Sequence, residues 1–508
     1  MRILPLVLVF CLPLAAAAQE KAAQHAAHTH EVLGTVNFRN SGNQAAQAEF
    51  QRGVALLHSF EYEDAAAAFE GAQRADPKLA VAYWLQALTY SRVVWGYENL
   101  ERSRAVLARL APTPAARLAK AGTAYERAFG AAVEAFYQDA PLRARAQAFA
   151  DALLALVRAH PEDQEANTFA ALGNMLAWFE SPPAERARYN DPVREHALRV
   201  FRMNPQHPGA AHYLIHFVDM NPTQAQHALE FARAYDKIAP DAEHALHMPS
   251  HVYLPLGMWA EVVAANERAW AASRREVSAR QGRPTENSWH ALDWLQYSYL
   301  QLGRLSDARA LVDTVQNILR DVAFQPNEPD ARNAVNVAAF RYGWETGDWN
   351  AYPNGFPSVD VVLSQPRPSA RATIMATTAA YQAAVAALRA RNDQAPAMKA
   401  VAAFRRQADS LPAQEARRGA LTRLATQLEA MLAWTGGERD RAVTMLQTLA
   451  PTEPNNASVP PTVIPSYELL GGYLLELGRK EEAAAAFRKV LELRPNRAAA
   501  LRGLAQAQ

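Results

Sequence analysis

Apolar residues along this chain keep two rhythms at once, a helical one of three and four and a longer one of 34. The segment PSYELLGGYLLELGRKEEAAAAFRKVLELRPN shows both. Apolar positions three and four apart predict a helix on each side of Gly478, and Pro495 ends the second. Gly471 and Ala483 are small where Tyr467, Leu470 and Phe487 are large. Two antiparallel helices meet closely at small residues and fill the remaining gap with large ones. The same register recurs as Gly53, Leu56, Ala65, Phe69, Ala72 and Pro77, then Tyr83, Ala87 and Tyr90. It returns at Ala228, Tyr235 and Pro240, at Ser250, Tyr253, Gly257 and Ala269, and at Gln296, Tyr299, Gly303 and Ala308. A penultimate unit uses Ala430, Gly437, Ala442, Leu446 and Pro454. Stretches 113–160 and 369–408 are helical in period with a weaker repeat. No alternating β-branched run is long enough for a sheet, so the chain is predicted to be all-α.

The period and slot residues are those of the tetratricopeptide repeat. The expected architecture is a TPR-like α-solenoid, a curved superhelix of antiparallel helix pairs with one groove. Its expected parts are a signal peptide at 1–18, a flexible lead-in at 19–43, an N-terminal solenoid at 44–349, a Pro-rich loop at 350–370 and a C-terminal solenoid at 371–508. Residues 498–508 read as a capping helix and 178–192 as a loop. Segments 350–370 and 451–465 are too rich in proline to be helical throughout. They read as linkers or as lids over the groove.

Lys+Arg total 52 against Asp+Glu 51. The balance gives no net field to draw nucleic acid or an anionic membrane. Arg2, the apolar run Ile3 to Leu14 and the small residues Ala15 to Ala18 form an export signal cut before Gln19. The run is too short to anchor the chain in a bilayer, and no later stretch is suited to span one. The expected location is periplasmic or secreted. The single cysteine, Cys11, lies inside the signal. The mature chain then has no disulfide, no thiol nucleophile and no thiolate ligand. A metal would have to be held by His, Asp or Glu, which favours zinc, copper, nickel or iron bound through imidazole, with zinc or copper as the expectation.

The histidines cluster in HPGAAHYLIHFVDMNP, HALHMPSHVYLPLG and the following WHALDW. His244, His247 and His251 are three and seven apart, which places them on one helix face. Pro249 either kinks that helix or starts a new one. By tetratricopeptide resemblance, repeat positions 2, 5 and 9 face the groove. That assigns His244, His247, His251, His290, Asp293, Tyr297 and Arg341 to it, with His58 at another groove slot. His216 and Asp219 fall nearer the packed seam, and His212 in the core. The metal hypothesis takes His247, His251 and His290 as ligands. Asp293 or Asp219 is then a fourth ligand or an orienter of an imidazole. The alternative is a row of histidines hydrogen-bonded to backbone, lining a peptide groove. Arg341 suits a carboxylate or phosphate, or a plain salt bridge; Glu468 is a weaker candidate. The lead-in cluster His25, His28 and His30 is another metal-capable spacing.

HPGAAHYLIHFVD, RAYDKIAPDAEHALHMPSHVY and HALDWLQYSYLQLGR resemble a group of exported bacterial tetratricopeptide proteins of poorly defined function. LLHSFEYEDAAAAF and VAYWLQALTY resemble its opening repeats. The resemblance covers residues 45–310 best and points to His58, His212, His216, Asp219, His244, His247, His251 and His290. Gln86 and Arg92 stand where the group tends to carry an acid and a histidine, and that departure implies an altered site. Two functions follow as expectations. One is an exported scaffold that binds a protein or peptide partner in its groove. The other is a metal-binding protein or a metal-dependent, hydrolase-like enzyme.

Overall fold

The structure is a computed structural model. It describes residues 32–508 apart from 280–281, 283–287, 322–328, 353–354, 366, 368–369 and 414. The expected export signal and the His25, His28, His30 cluster therefore lie outside the described residues. Helices follow one another in antiparallel pairs, as in Gln44–His58 against Tyr62–Ala75 and Ser466–Glu476 against Lys480–Leu493. The only sheet among the described residues is a two-stranded antiparallel one, Ser91–Arg92 with Tyr97–Glu98.

The small-against-large rule sets the pairing. A Cβ on Gly53 would stand 2.7 Å from Phe69, and one on Gly471 would stand 2.8 Å from Phe487. Both contacts are closer than real side chains tolerate, so alanine at either position would overpack the hairpin by about 1–3 kcal/mol. The same glycine–phenylalanine contact, repeated near both ends of the chain, is the repeat rule in physical form.

Two contacts join distant parts of the chain. The helix Pro208–Met220 packs on both Gln44–His58 and Gln164–Glu180, and this builds the interior where the histidines meet. At the other end, the helix Ala498–Ala507 packs back on Trp289–Gln301. Asn496 accepts from Trp259 Nε1 at 2.9 Å, and buried Arg497 lies over the ring of Tyr297.

Several expected boundaries shift. Residues 178–192 are not a loop: Gln164–Glu180 runs into them and Ala187–Met203 begins there. Pro192 sits in the second turn of that helix and forfeits one backbone bond. The 350–370 segment contains a short helix, Val359–Ser364, capped by Ser358. The described part of the lead-in is packed rather than loose. Phe38 is fully buried, edge-on to Phe50, Tyr125, Phe129 and Phe169.

Candidate metal centre

Local sequence places each histidine. Pro208 opens the helix Pro208–Met220 with His207 as its cap, so His212 and His216 lie one turn apart. The next segment is broken at Pro249 into Glu243–His247 and Ser250–Tyr253. Met248 and Pro249 still keep right-handed helical dihedrals. His247 and His251 therefore remain one turn apart despite the break. Ser288 accepts from the Ala291 amide and starts the helix Trp289–Gln301, which puts His290 in its first turn.

His247, His251 and His290 converge. Their ring centroids are 4.4–5.5 Å apart. His247 Nε2 is 2.9 Å from His251 Nε2, which is 3.3 Å from His290 Nε2. Three nitrogens bound about 2 Å from one tetrahedral ion stand roughly 3.3 Å apart. The opposite edges of two rings are held. Asn266 donates its amide to Val262 O, which turns Oδ1 toward His247 Nδ1 at 2.6 Å. Asp219 Oδ1 accepts from His251 Nδ1 at 2.8 Å. Both Nδ1 atoms therefore carry the proton, and in neutral rings both Nε2 atoms present lone pairs. Facing lone pairs at 2.9 Å repel one another, and a proton or a metal ion between them would relieve the repulsion. Burial, then the neighbouring imidazoles, pushes His247 and His290 well below the ordinary histidine range, which disfavours a proton on either of those two rings.

A second group lies beside the first. His212, His216 and His244 are buried, and each offers a nitrogen within 4.8 Å of the others. His212 Nδ1 donates to the carbonyl of His58 at 2.6 Å, and His216 Nδ1 donates to Asp219 Oδ2 at 2.8 Å. The Nε2 atoms of all three have no protein partner. Burial, then the other histidines, holds His212 and His244 well below their ordinary value. Burial lowers His216 as well, against the pull of Asp219. Burial alone would raise the Asp219 carboxyl, but His251 and His216 outweigh it and keep it ionised.

Aromatic and acidic residues close the surroundings. Trp95, on the turn between the two short strands, meets His290 edge-on at 4.9 Å and His244 at 5.5 Å. Trp294 packs on His290 at 4.2 Å, and Phe60 stacks on His244 at 5.7 Å. Glu61 accepts from the His244 amide at 2.9 Å. Burial first, then the charge of Glu61, pushes Glu243 up to about 8.

The other expected residues are placed differently. Asp293 does not join the three histidines; it pairs with Arg341 at 2.7 Å, which removes it from the ligand set. Arg341 is buried and also donates to Pro461 O, so it is engaged by its own chain. Gln382 and Gln427 donate to Thr462 O and Ile464 O, and the 451–465 segment is thereby seated on three helices. Tyr297 is fully buried between Arg341 and Arg497 and faces no open groove. Glu468 is bound by Arg497 and Trp344. His58 is buried, bonded to Tyr213 and Glu165. Gln86 bonds Gln73 and Glu70, and Arg92 pairs with Glu63. The His244, His247 and His251 side chains are buried rather than lining an open surface. Asn266, Trp95 and Glu61 were not singled out from sequence. Each lies at least 19 residues from the histidine it serves, and no local spacing signals such a pairing.

Comparison with known proteins bears on the repeat. Residues 464–497 match the model of a tetratricopeptide repeat. No curated protein matches the chain. Among solved structures, the P58(IPK) TPR domain is similar at 12% identity, covering 91% of this chain and 97% of that one, with a TM-score of 0.22. A human IFIT1 dimer with m7Gppp-AAAA is similar at 12% identity, covering 96% and 94%, with a TM-score of 0.37. A Naa15/Naa10 structure bound to HypK-THB is similar at 12% identity, covering 87% of this chain and 62% of that one, with a TM-score of 0.25. The chain is thus all-α and built of antiparallel helix pairs, one of which, within residues 464–497, matches a tetratricopeptide repeat.

Proposed function

We propose that this protein is a metal-binding repeat protein in which His247, His251 and His290 hold a zinc or copper ion. The supporting observation is the meeting of three Nε2 atoms whose outer nitrogens, in two of the rings, are already committed to Asn266 and Asp219. Three protein ligands leave a fourth position for water or substrate, the pattern of catalytic rather than structural sites. An ion there would lower the pKa of a bound water, and hydrolysis is the reaction class that follows. The chain's own part is to orient the rings, through Asn266 and Asp219, and to shield them with Trp95 and Trp294. Untagged full-length protein, equilibrated with zinc or copper and dialysed, is expected to retain metal. His247→Ala and His290→Ala are each expected to lose the ion from this site. A wild type that retains none overturns the reading.

The repeat supports a second role. Repeat solenoids present extended binding surfaces, and the tetratricopeptide match gives this chain one such unit. A protein or peptide partner on that surface, for a protein exported by residues 1–18, is the companion reading. Pull-down from the exporting organism, with loss of the partner on surface substitution, tests it.

A further inference from the structure

We propose that His212, His216 and His244 form a second metal site, so that the protein carries two ions side by side, linked through Asp219. The pairing rests on the reading above in taking the His247 group as occupied. The second site has evidence of its own. The Nδ1 protons of His212 and His216 are spent on a carbonyl and a carboxylate, so both Nε2 atoms are acceptors only. His244 adds another partnerless buried Nε2. Buried polar atoms are normally hydrogen-bonded, and three unsatisfied atoms in one place call for an occupant. With the His244 proton on Nδ1, all three Nε2 atoms are acceptors, and one water, with two protons, satisfies only two of them. One cation satisfies all three.

The donor set fixes the class of ion. Three imidazoles without carboxylate or thiolate suit zinc or copper and not magnesium or calcium. The rings of the two groups are neighbours, with His216 and His251 at 5.8 Å and His244 and His247 at 5.9 Å. Asp219 accepts from one histidine of each group through its two oxygens. It is a positioning residue for both sites at once.

The test uses full-length, untagged protein stripped with chelator and dialysed with zinc chloride. Two zinc ions per chain are expected, with two anomalous peaks in zinc-soaked crystals, one at each group. His216→Gln should leave one ion, on the His247 group. His251→Gln should leave one, on the His212 group. Asp219→Asn should weaken both sites about 10–100-fold, the range for residues that orient ligands. One wild-type ion confined to His247, His251 and His290 overturns the second site and leaves the first reading standing. A single peak shared between the groups also overturns it. No retained zinc overturns both. If His216→Gln does not fold, the wild-type count and peak positions still decide.

Discussion

Two histidine clusters meet on the helix Pro208–Met220 and its cap, and they are built on opposite principles. In the first, His58 and His207 flank Glu165, all fully buried. His58 bonds Tyr213 and Glu165; His207 bonds Glu165 and accepts the Ala210 amide. Every imidazole nitrogen has a protein partner. In the second, His212, His216, His247 and His251 commit Nδ1 to the protein, while the Nε2 atoms of all six rings, those of His244 and His290 included, face one another or have no protein partner. All three groups have metal-capable spacing. What separates the two clusters is the destination of the second nitrogen, not the number of histidines.

That contrast can be broken from either side. The largest effect is expected at Glu165→Ala, which strands two buried imidazoles and should destabilise the fold by about 3–5 kcal/mol in urea unfolding. Zinc retention per folded molecule should be unchanged; lost zinc with unchanged stability would reverse the two roles. Next comes added metal. Zinc at about 100 times its dissociation constant should stabilise the wild type by about 2.7 kcal/mol at each occupied site. His251→Gln should lose the share from its own site, and thermal melts with and without zinc read the difference.

Acid should act on the metal-free protein. His212, His244, His247 and His290 are held neutral by burial, whereas the unfolded chain protonates them near pH ~6.5. Their contribution is whole above that pH and is lost as pH falls below it. Each ring that stays neutral should remove about 1.4 kcal/mol of stability per pH unit. Unfolding curves at pH 7.5, 6.5 and 5.5 measure it, and a flat profile would mean that the rings are not buried neutral. The smallest effect is expected at Asn266→Ala. Freeing His247 to rotate should weaken zinc about 10-fold, with little change in the metal-free melt.

The sequence carried the hairpins because their rule is local: Gly53 needs Phe69, and Gly471 needs Phe487, at a fixed spacing within one repeat. The nearness of His247, His251 and His290 was legible because one turn of helix joins the first two and the neighbouring helix pair brings the third beside them. It misdirected Asp293, which sits one turn beyond His290, because Arg341 from the next helix claims that carboxylate. His212 looked like core by its repeat position, and it is core. What could not be read is that its buried edge faces His216 and His244. That depends on Pro208–Met220 docking against Gln44–His58, more than 150 residues earlier. Tyr297 and Arg341 were aimed at a groove that the chain's own 451–465 segment and Arg497 occupy.

Trp95 touches one ring from each group of three, and its carbonyl accepts from Arg371 at 2.9 Å. Any molecule approaching His244 or His290 from that flank must contend with a single indole. The turn bearing that indole is moored to a helix 276 positions further along the polypeptide. The flank of the histidine cluster is thus tied, through one hydrogen bond, to the far half of the protein.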